Sequence, residues 1–407
     1  MGGAWGVLLR VAGDVCGVAA GGAAVIGASP AQLGLLSAAG TVPYLLFGLV
    51  AGARVDRLRR RPILIAADLG RALLIGSVPL AAVLDLLTLV QLVVVAFAAG
   101  VLTLCFDVAQ DAYVPALLPR ERLVVGNSRL AGTTAAAETA GPGLGALAIQ
   151  VLTAPVALAL DAGSFLVSAL FLGGIRATEP RVAVRDRERG SFWREVRTGL
   201  RAIIETPILR ALTLCGAILQ LTGGIFDALQ ALFITRTLGL PPFVFGLLFT
   251  VGSLSGLLGA LFATPLLRRM GPGPAILTTA LLICAGWLTM PLAFGTPGAM
   301  IAILVGGAVV RGLGNTLYNI GATTVRQAFV PGEMLGRVNS AGLFLAWGLL
   351  PIGSLAGGFL GAAIGVRETL LAGSIVRIAL LLACCAAPLI ALRAMPADGL
   401  RPQDMAR

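Results

Sequence analysis

Lysine and histidine are absent from the 407 residues, and all thirty basic side chains are arginine. Without imidazole the chain lacks both the usual acid–base group for neutral pH and the commonest metal ligand. Its six cysteines, Cys16, Cys105, Cys215, Cys284, Cys384 and Cys385, lie inside apolar runs with no CxxC pair. They read as packing residues, and no metal site or cofactor is expected. No GxxxxGK[ST] loop occurs either, which speaks against ATP-driven work and, with the missing histidines, against an enzyme. Charge itself is scarce, at 12% of residues.

What is abundant is apolar. Hydrophobic residues make up 57% of the chain and the mean hydropathy is +0.95, values that ordinary soluble domains do not reach. Apolar runs centre on residues 5–27, 33–53, 63–84, 88–111, 129–150, 153–174, 208–233, 243–266, 274–294, 298–321, 340–362 and 369–393. A spanning helix needs about 20 apolar residues, so twelve transmembrane helices are expected. Arg10, Gly13 and Asp14 interrupt the first run, which argues against a cleavable signal peptide.

The net charge of +11 takes its meaning from where the arginines fall. Alternate breaks hold Arg54, Arg57, Arg59, Arg60 and Arg61, then Arg120 and Arg122, Arg268 and Arg269, and Arg326 and Arg337, whereas the opposite breaks contribute Arg236 and Arg367. This is the positive-inside pattern and not a nucleic-acid face. It predicts a multi-pass protein of a bacterial inner membrane, with both termini cytoplasmic; a monomer in the lipid bilayer is expected.

The longest break carries eight arginines between 175 and 207 and divides the spans six and six. Its second part, SFWREVRTGLRAII, sets Phe192, Val196, Leu200 and Ile203 on one helical face, as an amphipathic helix on the inner leaflet would. The expected organisation is an N-terminal six-helix half (1–174), a cytoplasmic linker (175–207), a C-terminal six-helix half (208–393) and a cytoplasmic tail (394–407). The halves repeat 212 residues apart: Arg57 matches Arg269, Pro119 matches Pro331, Asn127 matches Asn339, and Gly141 and Gly145 match Gly353 and Gly357. Six spans separate equivalent positions, so the repeat is parallel, related by a pseudo-two-fold axis along the membrane normal. An all-α membrane protein built this way has the arrangement of the major facilitator fold.

GARVDRLRRRP, residues 52–62, resembles the signature of the major facilitator superfamily at Gly52, Asp56, Arg57, Arg60 and Arg61, and departs from it at Arg54 and Arg59. The resemblance implies a cytoplasmic gate in which charges pair or cap helix ends in one conformation and separate in the other; Asp107 and Asp111 share a helical face within reach of it. The stretches 106–150, 160–170 and 317–358 are similar to the exporter branch that includes the enterobactin exporter and macrolide efflux proteins, the transmembrane secretion effector family. GPGLG, with Gly141, Pro142 and Gly145, resembles the antiporter motif of the fifth span, where proline kinks the helix and glycine permits close approach.

An ionisable group near the bilayer centre costs about 2.5–3.5 kcal/mol on insertion scales, so each is a functional candidate. Glu138 ranks first, one turn before Pro142, where apolar surroundings suit a carboxyl that takes up and releases protons. Asp14, Asp161, Arg311 and Asp227 follow as proton or substrate candidates. Asp68 and Arg71, three apart, are expected to neutralise one another. The reading that results is a secondary active transporter exporting a small amphipathic molecule, a drug, macrolide-like compound or siderophore, by alternating access in exchange for protons. Uptake of a polar nutrient, or a non-transporting sensor, are the alternatives.

Overall fold

A computed structural model describes residues 28–55, 58–117, 154–174, 191–330 and 332–392, with isolated positions at 141, 144, 148, 151 and 152. Among these residues there are eleven α-helices and no strand: α1 (Pro30–Val55), α2 (Arg60–Val83), α3 (Leu89–Leu117), α4 (Ala154–Gly174), α5 (Ser191–Glu205), α6 (Pro207–Leu232), α7 (Phe243–Met270), α8 (Pro272–Leu288), α9 (Pro297–Phe329), α10 (Gly332–Ile364) and α11 (Val366–Ala391). A π-helical turn, Phe233–Thr237, extends α6.

Nine of these helices are long and apolar enough to cross a membrane. Ten of the twelve apolar runs coincide with described helices; 5–27 lies outside the described residues and 129–150 almost wholly so. Large apolar side chains stand exposed on many helices, Leu73, Val83, Val90, Leu170 and Leu261 among them, because lipid is as apolar as leucine and no drive exists to hide them. Pro43, Pro79, Pro265, Pro351 and Pro388 sit inside helices, where nearby helices and local adjustments satisfy the freed backbone groups.

The contacts group into two compact units: one comprises the described residues up to 185 with 227–250 and 354–363, the other those in 186–226, 251–353 and from 364 onward. In the first, Leu36, Ile75, Val78, Leu92 and Phe165 build one apolar cluster, and Leu64, Phe106, Ala109 and Tyr113 another. Its closest helix approach is α1 on α10, where a Cβ on Gly34 would stand 2.7 Å from the Cα of Gly358. One turn along, the Ser37 and Ser354 hydroxyls hydrogen-bond at 3.2 Å.

In the second unit α9 is wedged against both α7 and α8 by glycines. A Cβ on Gly312 would fall 1.9 Å from the carbonyl oxygen of Gly252, and one on Gly307 would fall 2.8 Å from that of Gly286. Helix α5 belongs to this unit. Gly199, Ala202 and Ile203 are buried against the protein, while Arg197 and Arg201 are exposed, so the end of its apolar face that includes Ile203 packs on protein. Arg201 pairs with Glu205 at 2.6 Å, and that carboxylate raises the guanidinium pKa.

Candidate functional site

Charged side chains gather at four places in the described helices. At the start of α2, Arg61 donates from Nε to the Leu172 carbonyl at 3.0 Å and from Nη2 to the Gly173 carbonyl. These are terminal carbonyls of α4, which have no partner within their own helix, and a cation there also meets the negative end of the helix dipole. Asp107 on α3 is exposed and accepts from the Tyr44 hydroxyl of α1 at 2.8 Å. Arg60 is half-buried beside Arg61. Gly52 lies on α1 and Asp111 on α3; Asp56 and Arg57 lie outside the described residues.

Deeper in the first unit, Asp68 and Arg71 form an ion pair at 2.5 Å, buried on both sides. Ser168 of α4 donates to the second Asp68 oxygen at 2.6 Å, and Arg71 donates to Thr103 of α3 at 3.3 Å. The guanidinium is held between two rings, 4.8 Å from the Phe106 centroid and 4.6 Å from that of Phe165. The i, i+3 spacing foretells the pair. Its two hydroxyl partners and its aromatic walls come from other helices.

The second unit holds arginine without a carboxylate on the same helix turn. Arg311, the fifteenth of the 33 residues of α9, places its guanidinium 4.1 Å over the Trp287 ring of α8. Trp287 in turn stacks on Phe226 of α6, with centroids 4.4 Å apart and ring planes inclined by 31°. Arg377, the twelfth of the 26 residues of α11, approaches the same two rings, at 5.0 Å from Phe226 and 5.9 Å from Trp287. It is 1% exposed and donates to the Thr222 hydroxyl at 2.5 Å and the Leu219 carbonyl at 2.9 Å. Arg311 is partly exposed. The glycine contacts on either side of it fix its depth, since α9 cannot slide against α7 or α8 without backbone clashes.

Arg377 goes unnoticed in the sequence reading above, although it meets the same criterion as Arg311. It stands nine residues into an apolar run that already carries Arg367 at its edge, and reads as interior only once α11 is seen to begin at Val366. Asp161 on α4 is buried at 7% exposure, and Asp227 on α6 is partly buried. Gly141 is helical and buried. Asp14, Glu138, Pro142 and Gly145 lie outside the described residues.

The last pair of arginines, on the breaks opposite the arginine-rich ones, ties loops down. Arg236, in the π-turn, donates to the Ala28 carbonyl at 2.7 Å. Arg367 donates to the Pro291 and Ala293 carbonyls at 2.8 and 3.2 Å and lies 4.0 Å over Phe294.

Comparison with known proteins agrees with this architecture. A family model described as Major Facilitator Superfamily matches residues 17–352. The multidrug efflux pump Tap of Mycolicibacterium fortuitum is 29% identical over 350 residues, covering 84% of this chain and 83% of the pump. Macrolide efflux protein A of Streptococcus pyogenes is 24% identical over 86% of each chain. The crystal structure of the nucleoside transporter NupG superposes with a TM-score of 0.76 at 12% identity, covering 95% of this chain and 96% of that one, a likeness of fold.

Proposed function

From the premise that the chain belongs to the Major Facilitator Superfamily, a family of transporters, we propose that it exports a small amphipathic molecule from the cell by alternating access, in exchange for protons. The observation that carries the direction is similarity along more than four fifths of the chain to two proteins named for efflux. Proton exchange is supported by the supply of intramembrane carboxylates, Glu138 and Asp161 above all, in a chain with neither histidine nor lysine. The capping of α4 by Arg61 supports a gate at the arginine loop, with both termini on its side of the membrane and the protein acting as a monomer.

The test is accumulation of ethidium, erythromycin and a catecholate siderophore in an efflux-deficient bacterium expressing the protein, with and without a protonophore. Lowered accumulation that the protonophore abolishes is the expected result, and Glu138→Gln is expected to abolish it too. Accumulation equal to that of cells lacking the protein, with membrane insertion verified, would overturn the reading; raised accumulation would turn it into uptake.

A further inference from the structure

We infer that the arginine–aromatic cluster of Arg311, Trp287, Phe226 and Arg377 selects a substrate that carries a negatively charged group, a carboxylate or a comparable monoanion. The inference rests on the transport reading and names the substrate class for it.

The argument starts from charge. Helices α7, α8 and α9 contain no acidic residue, α10 and α11 have theirs in the first turn, at Glu333 and Glu368, and α6 contributes Asp227 beside Phe226. Two guanidinium groups near the middle of their helices are therefore accompanied by one carboxylate of comparable depth. Whatever their pairing, the set retains an excess of one positive charge in a region where each charge is costly. The first unit shows the contrasting solution, Arg71 with Asp68 three residues away and buried against it.

Geometry adds to the charge count. Both cations share the face of one indole, and ring faces attract cations without neutralising them. Arg377 is enclosed and committed to Thr222 and Leu219, so it contributes potential and not contact. Arg311 is the partly exposed member, set at a fixed depth by the glycine approaches of α9 to α7 and α8. A planar guanidinium offers a fork that matches a carboxylate in two parallel hydrogen bonds. Lying over Trp287, it keeps the ring at its face and its N–H edges in the plane where an anion docks. A cationic solute reaching the same place meets two like charges in low dielectric, which repels it.

Three probes with one ring system isolate the sign of charge: 2-naphthoate, 2-naphthalenemethanol and 2-naphthylmethylammonium. Binding to the purified full-length protein in nanodiscs is measured by equilibrium dialysis. The expected result is that the naphthoate binds at least roughly tenfold tighter than the ammonium, that Arg311→Gln removes this preference, and that Arg311→Lys keeps part of it. Arg377→Lys, which preserves the buried charge, is expected to retain the preference. A wild-type protein with no preference for the anion, including one that binds none of the three, overturns the inference. So does an Arg311→Gln protein, folded by thermal unfolding, that keeps the full preference. The assay needs no gradient, so its failure leaves proton-driven export standing, and protonophore-insensitive accumulation would sink that reading without touching this one.

Discussion

Arg71 and Asp68 show what a charged side chain in a membrane interior depends on. Each has the other, a hydroxyl from a different helix and, for the arginine, two aromatic faces. Removing one member strands the other: Arg71→Met is expected to destabilise the protein by about 3–5 kcal/mol, whereas the double change Asp68→Leu with Arg71→Met recovers most of the loss. Thermal unfolding in detergent compares them, and a double variant as unstable as the single one would show that the pair is not the source of the cost. The pairing is legible in the sequence because both residues sit on one helical face. Arg377 and Trp287 are not, because an almost wholly apolar span gives no polarity contrast to say which face meets which neighbour. Nor do 54 glycines announce the few that carry a crossing.

For the helices, the hydrocarbon thickness did the reading: a run of about 20 apolar residues has few other uses, and ten runs became described helices. What the runs leave unsaid is how closely two helices approach. Gly312→Val would drive side-chain atoms into the α7 backbone at Gly252, where a Cβ already has 1.9 Å. Overpacking of this kind costs about 1–3 kcal/mol, and we expect a lower midpoint of thermal unfolding together with weaker naphthoate binding; unchanged values in both would mean that α9 has room to shift. The end of α4 offers a milder case. Arg61→Ala removes the donor to Leu172 and Gly173, worth about 0.3–1 kcal/mol of helix-end interaction, yet is expected to slow export much more than it lowers the unfolding midpoint. Arg61→Lys should restore part of the rate, and equal proportional losses of rate and stability would reduce Arg61 to a structural cap.

For the molecule as a transporter, the contact of α1 with α10 at Gly34, Ser37, Ser354 and Gly358 is expected to break once in every cycle. Ser37→Cys with Ser354→Cys, in a background where the six native cysteines are replaced, should stop export under oxidant and regain it with reductant. Continued export with the cross-link verified would mean that this crossing stays shut throughout. The π-turn at Phe233–Thr237 lies at the end of α6 and has a consequence in the currency of insertion and deletion. A π-turn accommodates one residue more than the α-helical turn it replaces. Deleting Thr235 would let α6 run on as ordinary helix, and every residue beyond it would swing by about 100° around the axis. Arg236 would then point away from the Ala28 carbonyl that it now holds at 2.7 Å. A single supernumerary residue thus sets the rotational phase of the chain where α6 ends, and shortening the protein there by one position would undo a fastening that no side-chain substitution had touched.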